Sequence, residues 1–168
     1  MKKKRVKDSS VVMTQLMHSH DANPASYVYG GVIMKLIDTA AGAVAVRHAQ
    51  ANVVTASIDR LDFHNPVFVN EIVTLRAGIN MVGTTSMEIG VRVESENPAT
   101  QEVRHTASAY LIYVALDDSA HPMEIPKLIL SSHEERRRHN EAIERQRVRI
   151  GGQKKERSHR HRKTDSLS

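Results

Sequence analysis

One apolar stretch with a single acid constrains this chain more than any other feature. Residues 30–48, GGVIMKLIDTAAGAVAVRH, are apolar or small at almost every position from Val32 to Val46. Because apolar residues occupy all sides, the pattern predicts a helix that is buried on most sides. The stretch is interrupted by Lys35 and Asp38 and is shorter than the roughly 20 apolar residues that a membrane span needs. It therefore predicts the central helix of a soluble domain.

Asp38 is the candidate reactive group in this helix. Desolvating an unpaired carboxylate costs several kcal/mol, so a carboxylate in a buried helix is expected to be paired or functional. The functional interpretation is a general base or a nucleophile. The alternative is a structural ion pair with Lys35 or Arg60.

Two glycines at the predicted helix start favour the functional interpretation. Gly30 and Gly31 follow Tyr27-Val28-Tyr29, a short run that is typical of extended backbone. Free amides at a helix N-terminus bind and polarise oxyanions. Asp38 lies seven residues after Gly31, and at about 100° per residue the two positions face the same way. A double glycine is also common in ordinary turns.

The two ends of the chain carry a net positive charge, and the middle carries a net negative charge. Residues 1–8 hold five Lys or Arg and one acid, residues 9–130 hold seven and twelve, and residues 131–168 hold twelve and six. The net charge of +5 therefore does not indicate a nucleic-acid-binding fold. The chain has no Cys, which excludes a disulfide framework and a thiol nucleophile. The N-terminal cluster lacks the apolar region of a signal peptide, so a cytoplasmic protein is predicted.

Strand patterns surround the helix and predict an α+β fold. One strand is predicted before the helix and four after it, over residues 10–17, 52–63, 71–82, 85–95 and 102–116. Short turns between consecutive strands imply antiparallel neighbours, and one sheet must then curl around one apolar helix. The clearest alternation places Met87 and Ile89 on one face and Glu88 on the other. The helix flank that the sheet leaves open is expected to pack against a second copy of the chain.

The chain divides into four predicted parts. Residues 1–9 form a basic arm, residues 10–130 form the domain, residues 131–150 form a solvated, charged helix that ends at Gly151-Gly152, and residues 151–168 form a basic disordered tail. One interpretation of the tail is contact with anions such as CoA phosphates, RNA or lipid headgroups. The other is a solubilising extension.

A polar loop precedes the helix. Its residues His18, His20 and Asp21 have a spacing that is found in ordinary loops as well as in metal sites, and no further His or Cys set lies nearby in sequence. No metal is therefore predicted. Asn23, before Pro24, is either an Asx-turn residue or a polar group that orients water or a carbonyl.

Three separated motifs resemble a known family. They are D-A-N-P-x(5)-G-G-V-I-M-K-L-I-D from Asp21, V-V-T-A-S-I-D-R-L-D-F-H-N-P-V from Val53, and G-T-T-S-M-E-I from Gly83. In this order they resemble the hot-dog-fold acyl-CoA thioesterases, in the branch with the brain-type cytosolic acyl-CoA hydrolase and its single-domain bacterial relatives. The resemblance covers residues 10–126. It implies one long helix wrapped by a curved antiparallel sheet, at least a homodimer, and assembly into a hexamer, a trimer of dimers.

The resemblance also implies an activity and a site. It implies hydrolysis of fatty acyl-CoA to free fatty acid and CoA, with Asp38 and Asn23 catalytic and contributed by different subunits across a dimer interface. The amides of Gly30 and Gly31 would bind the thioester oxygen. No metal or other cofactor is implied, since coenzyme A is part of the substrate. Further substrate-binding residues are expected to be Phe63, Thr84, Thr85, Ser86 and Met87.

A second interpretation is a non-catalytic acyl-CoA-binding or regulatory module of the same fold, with a basic tail that contacts nucleic acid or membrane. A binding module needs neither Asn23 nor Asp38. The presence of both favours the enzyme.

Overall fold

The computed structural model of this protein describes residues 2–164, with side chains to residue 152. The predicted strands and the central helix all form, with ends within one residue of those predicted. Short 3₁₀ turns lie at Val6–Asp8 and Ser19–Asp21. The strands and helices are β1 (Lys3–Arg5), β2 (Val11–Leu16), α1 (Gly30–Ala49), β3 (Asn52–Phe63), β4 (Ile72–Val82), β5 (Ser86–Glu96), β6 (Val103–Leu116), β7 (Lys127–Ile129) and α2 (His133–Thr164).

The core is one antiparallel sheet that wraps α1. Its strand order is β2-β4-β5-β6-β3, and every neighbouring pair is antiparallel. Helix α1 contacts all five strands. Five strands span about 19 Å and a helix is only about 10 Å wide, so the sheet must curve to reach it. The predicted α+β arrangement is confirmed.

Helix α1 is buried on the side that faces the sheet. Ile33, Ile37 and Val44 are among its core residues. The opposite side is exposed in the single chain, and Met34 and Asp38 lie on it. The prediction that most sides are buried is therefore wrong for one chain, because the curved sheet covers one side only.

The N-terminal segment is part of the fold, which the sequence did not indicate. Strand β1 pairs in parallel with β7. Lys4 Nζ donates hydrogen bonds to the main-chain oxygens of Arg47 and His48, at 2.7 and 3.0 Å, and so caps the end of α1. The His48 ring is fully buried and contacts Ser9 Oγ at 3.2 Å and the Pro126 oxygen at 2.8 Å.

Helix α2 packs on the outer face of the sheet and is not solvated throughout. Ala142 is fully buried, and so is Glu88, which the alternation placed on the open face of β5. The alternation was right, but α2 covers that face. The predicted end at Gly151-Gly152 is wrong, since the helix continues to Thr164. A glycine inside a helix costs only about 1 kcal/mol, which the flanking turns outweigh. Of the predicted disordered tail, residues 165–168 lie outside the described residues.

Candidate active site

Asp38 is held by two hydroxyl groups from the sheet. Thr55 on β3 and Tyr113 on β6 are direct partners in the strand register. Thr55 Oγ1 donates to Asp38 Oδ1 at 2.8 Å, and the Tyr113 hydroxyl donates to the same oxygen at 2.7 Å. One carboxylate oxygen therefore receives two neutral donors.

The ion-pair alternative for Asp38 is wrong. Arg60 Nε instead contacts Asp62 Oδ2 at 2.5 Å. Asp38 has no salt bridge to a described residue, and its second oxygen, Oδ2, accepts no hydrogen bond from one. The carboxylate thus has one oxygen without a described partner on the exposed side of α1.

The environment of Tyr113 makes its hydroxyl a donor. The ring is only 3% exposed. Burial, followed by the hydrogen bond to Asp38, raises the pKa of Tyr113 well above its ordinary value. The phenol therefore stays protonated at any pH at which a protein normally works.

Asn23 lies in the loop that leads into α1. Its Oδ1 accepts the main-chain N–H groups of Ala25 and Tyr27, at 2.9 and 3.2 Å, which is the Asx-turn geometry. A side-chain atom that accepts two N–H donors must be the oxygen. The Nδ2 amino group therefore points away from the turn and is available as a donor.

The first two amides of α1 are free in the single chain. Tyr29 is the N-cap residue and makes no side-chain cap. The N–H groups of Gly30 and Gly31 have no hydrogen-bond partner among residues 2–164. The exposed ring of Phe63 lies beside them, since a Cβ on Gly30 would be 3.6 Å from it. A pocket of about 380 Å³ opens here, lined by Gly30, Phe63 and Ile33 among others.

The predicted site residues form two groups in one chain. Asn23, Gly30, Gly31 and Phe63 lie at the N-terminal end of α1, and Asp38 lies two turns further along. At a rise of 1.5 Å per residue, Gly31 and Asp38 are about 10 Å apart along the helix axis. In one chain the two groups are therefore separated by about two helical turns.

The predicted substrate-binding segment at the start of β5 is mainly structural in the single chain. The main-chain oxygens of Thr84 and Thr85 accept hydrogen bonds from Ile125 and Ala115. Met87 is 1% exposed and pairs in register with Tyr113. Of the predicted residues Thr84, Thr85, Ser86 and Met87, only Met87 thus has a direct link to the Asp38 group, through Tyr113.

Among the residues that the structure describes, no three or more His, Asp or Glu side chains are grouped as metal ligands would be. Asp21 instead accepts the His18 main-chain N–H at 3.0 Å. No described helix combines the length and apolarity of a membrane span.

Comparison with known proteins decides the family. Residues 25–102 match the family model of the thioesterase superfamily. The chain is 37% identical over 139 residues to the uncharacterized acyl-CoA thioester hydrolase YkhA of Bacillus subtilis, covering 83% of this chain and 81% of that one. This chain belongs to the thioesterase superfamily. The predicted family is confirmed.

Other members of the thioesterase superfamily agree in fold. A crystal structure of an apo-hexameric acyl-CoA thioesterase has a TM-score of 0.87 at 34% identity and covers 90% of this chain and 97% of its own. The predicted hot-dog fold is confirmed. The mouse cytosolic acyl coenzyme A thioester hydrolase is 34% identical over 77% of this chain, which spans only 34% of the mouse protein.

The acyl-CoA hydrolase of Staphylococcus aureus, solved with butyryl coenzyme A and coenzyme A, bears on the site. It has a TM-score of 0.86 at 29% identity, covering 93% of this chain and 95% of its own. Solved variants carry alanine in place of an asparagine, an aspartate and a threonine at positions 28, 43 and 60 of that chain. These are 15 and 17 residues apart, as are Asn23, Asp38 and Thr55 here. Thr55 was not predicted, because one threonine in a β-branched strand carries no signal of its own.

Proposed function

We propose that this protein hydrolyses acyl-CoA thioesters to a free fatty acid and CoA. The observation that carries the proposal is the Asp38 carboxylate, held through Oδ1 by Thr55 and Tyr113 with Oδ2 free. The spacing shared with the S. aureus variants supports it for Asn23, Asp38 and Thr55.

In this reaction Asp38 Oδ2 either removes a proton from the attacking water or attacks the thioester carbon itself. Both routes form a C–O bond, break the C–S bond and release CoA as its thiol; in the second, water then opens the anhydride. Asn23 Nδ2 and the amides of Gly30 and Gly31 donate to the carbonyl oxygen as negative charge develops there. One such donor is worth about 10²–10³ in rate.

The site is completed by a second copy of the chain. Strand β3 is an edge of the sheet, and Val54 and Ile58 on it are each 45% exposed. A long apolar edge strand is a surface for pairing with another chain. Thr55, beside Asp38, and Phe63, beside Gly30, are near opposite ends of β3. Antiparallel pairing about a two-fold axis between them brings Asp38 of one copy to Gly30 of the other.

The first test is thiol release from a panel of acyl-CoA chain lengths. We expect the wild type to be active and Asp38→Asn to lose about 10²–10⁴ in kcat with the oligomer intact. Asp118→Asn, in an exposed turn, is the matched control and should retain wild-type turnover. Coenzyme A binding by a wild type that releases no thiol at any chain length would instead show the non-catalytic binding module.

The second test asks whether the site is shared. Asp38→Asn and Asn23→Ala chains are each expected to be inactive alone. After denaturation and refolding together, random pairing restores one intact site in half of the dimers, about a quarter of wild-type activity. Refolding each variant alone is the control. No recovery, with heterodimers demonstrated, would place Asn23 and Asp38 in one site of a single chain.

We also infer the location and the oligomeric state of the protein. A cytoplasmic location is supported by the relative that is named cytosolic, and a hexamer of three dimers by the neighbour that is named hexameric. The proposed chemistry uses side chains and amides alone, so added chelator should leave the rate unchanged. The mass in solution tests the hexamer.

A further inference from the structure

We infer that Tyr113 is a positioning residue that fixes the reactive carboxylate with its one hydroxyl hydrogen, which is shared between two oxygens of Asp38, an inference that rests on the proposed hydrolysis. Its hydroxyl lies 2.7 Å from Asp38 Oδ1 and 2.9 Å from the main-chain oxygen of the same residue. It therefore links the carboxylate to the helix backbone that carries it.

The strand register makes this contact possible. Tyr113 pairs with Thr55 on one side and with Met87 on the other, so it stands in the middle of the sheet under α1. Thr55 and Tyr113 project side by side toward the helix and meet the same oxygen of Asp38. Two donors from two strands define where Oδ1 lies, and the direction of Oδ2 follows from the planar geometry of the carboxylate.

The helix also provides the space that the phenol needs. Gly42 lies one turn after Asp38, and a Cβ built on it would be 3.5 Å from the Tyr113 oxygen. That distance is an ordinary van der Waals contact, so the phenol packs directly against the glycine. Gly42, Tyr113 and Asp38 thus form one packed group between α1 and β6.

Tyr113 does not itself react. At 3% exposure the ring offers no surface to a substrate, and a phenol that stays protonated serves as a donor and not as a base. Its contribution is to hold Oδ2 in the attacking orientation. A misplacement of a reacting group by about 1 Å can cost on the order of 10² in rate.

The test begins with Tyr113→Phe, which keeps the ring and removes the hydroxyl. We expect kcat to fall about 10- to 100-fold while KM changes less than about twofold, because substrate binding does not involve the hydroxyl. Tyr110→Phe is the matched control, on the outer face of the same strand with its ring against Arg145, and should leave kcat unchanged. An unchanged kcat in Tyr113→Phe would overturn the inference.

The same substitution in the Asp38→Asn background separates positioning from a general structural role. If Tyr113 acts through the carboxylate, Tyr113→Phe should cause less than about a twofold further loss there. A full 10- to 100-fold loss in both backgrounds would mean that it acts elsewhere, and would overturn the inference.

Thr55→Val in combination with Tyr113→Phe gives a second measurement. Thr55→Val removes the other donor to the same oxygen, so adding Tyr113→Phe should cost less than the product of the two single losses. A multiplicative loss would contradict a shared role. A wild type that releases no thiol would end the proposed function and this inference together, whereas an active wild type with a fully active Tyr113→Phe would end only the inference.

Discussion

Each face of the sheet has a carboxylate packed against it, and the two carboxylates have opposite kinds of partner. On the α1 face Asp38 is exposed, and its partners are the neutral hydroxyls of Thr55 and Tyr113. On the α2 face Glu88 is fully buried, and Arg145 binds it at 2.7 and 3.2 Å. The buried Glu88–Arg145 ion pair holds α2 on the sheet. The Asp38 carboxylate has only neutral donors and stays available for chemistry.

The close contacts on the α2 face show how tightly that carboxylate is enclosed. Asn80 Nδ2 donates to Glu88 Oε1 at 3.0 Å. The Asn80 amide can lie there only because position 90 has no side chain, since a Cβ on Gly90 would be 2.8 Å from Nδ2. The Arg145 guanidinium also lies 3.7 Å from the centre of the Tyr110 ring. Each of these groups has a structural partner.

The largest stability effect is therefore expected on the α2 face. Arg145→Met leaves the Glu88 carboxylate buried without its cation, which typically costs about 3–5 kcal/mol of unfolding free energy. Denaturant unfolding measures this loss, and kcat of the folded enzyme should stay near the wild-type value.

The matched control lies on the same helix. Arg147 pairs with Glu144, and both side chains are about two-thirds exposed, at 70% and 66%. Arg147→Met should change the unfolding free energy by less than about 1 kcal/mol. Equal losses of unfolding free energy in the Arg145 and Arg147 variants would contradict the conclusion that the Glu88–Arg145 pair holds α2 on the sheet.

The two faces of the sheet also differ in how much of their structure the sequence predicts. The ends of α1 and of the five strands of the large sheet followed from local patterns, because Gly30-Gly31 and the turns are signalled by consecutive residues, whereas the end of α2 did not. The partner of Glu88 was not predictable, since Arg145 is 57 residues away and only the docking of α2 brings the two together. The same limit applies to Tyr113, which meets Asp38 through the pairing of β3 with β6.

The sequence predicts a reactive Asp38 because it expects this helix to be buried on most sides, and the structure shows a different environment. The sequence places a charge in an apolar helix, but the helix is covered on one side only, so Asp38 is exposed in the single chain. The apolar residues on the exposed side, such as Met34 and Val46, are explained by the proposed contact with a second copy. If that contact forms, the apolar pattern of α1 reflects the surroundings of the helix in the assembly and not in the single chain.

A smaller effect is expected from pH at the end of α1. Burial lowers the pKa of His48 below its ordinary value of 6.5. Below pH 6.5 the unfolded chain binds a proton that the folded ring resists, so stability present above that pH is lost as the pH falls toward the folded pKa. The Pro126 oxygen can only accept, so Nε2 carries the hydrogen and Nδ1 accepts from the Ser9 hydroxyl. Protonation would place a hydrogen on Nδ1 and remove that acceptor.

Thermal unfolding between pH 7.5 and 5.5 measures this effect. The wild type should lose more melting temperature over that range than His48→Gln, which cannot titrate. His121→Gln, in an exposed turn, is the control and should follow the wild type. Parallel curves for the wild type and His48→Gln would show that the buried ring does not contribute to the pH dependence.

The smallest effect is expected from the C-terminal tail. A cut after Leu130 is unsuitable, because it removes Arg145 and Ala142 and uncovers the buried Glu88. A cut after Gly152 keeps every described contact of α2 and removes residues 153–168, with six Lys or Arg and two acids, a net charge of +4. If this charge steers polyanionic acyl-CoA, kcat/KM should fall with added salt in the full chain and less in the truncated one, because exposed charges are screened over about 8–10 Å.

We expect a change in kcat/KM of less than about threefold at physiological salt, where that screening already weakens the steering. Replacing the six basic residues with Gln in the full-length chain separates charge from length and should reproduce the truncation. A loss of more than tenfold in both variants, with the oligomer intact, would show that the tail takes part in substrate capture. The α2 side of the sheet would then contribute to activity as well as to stability.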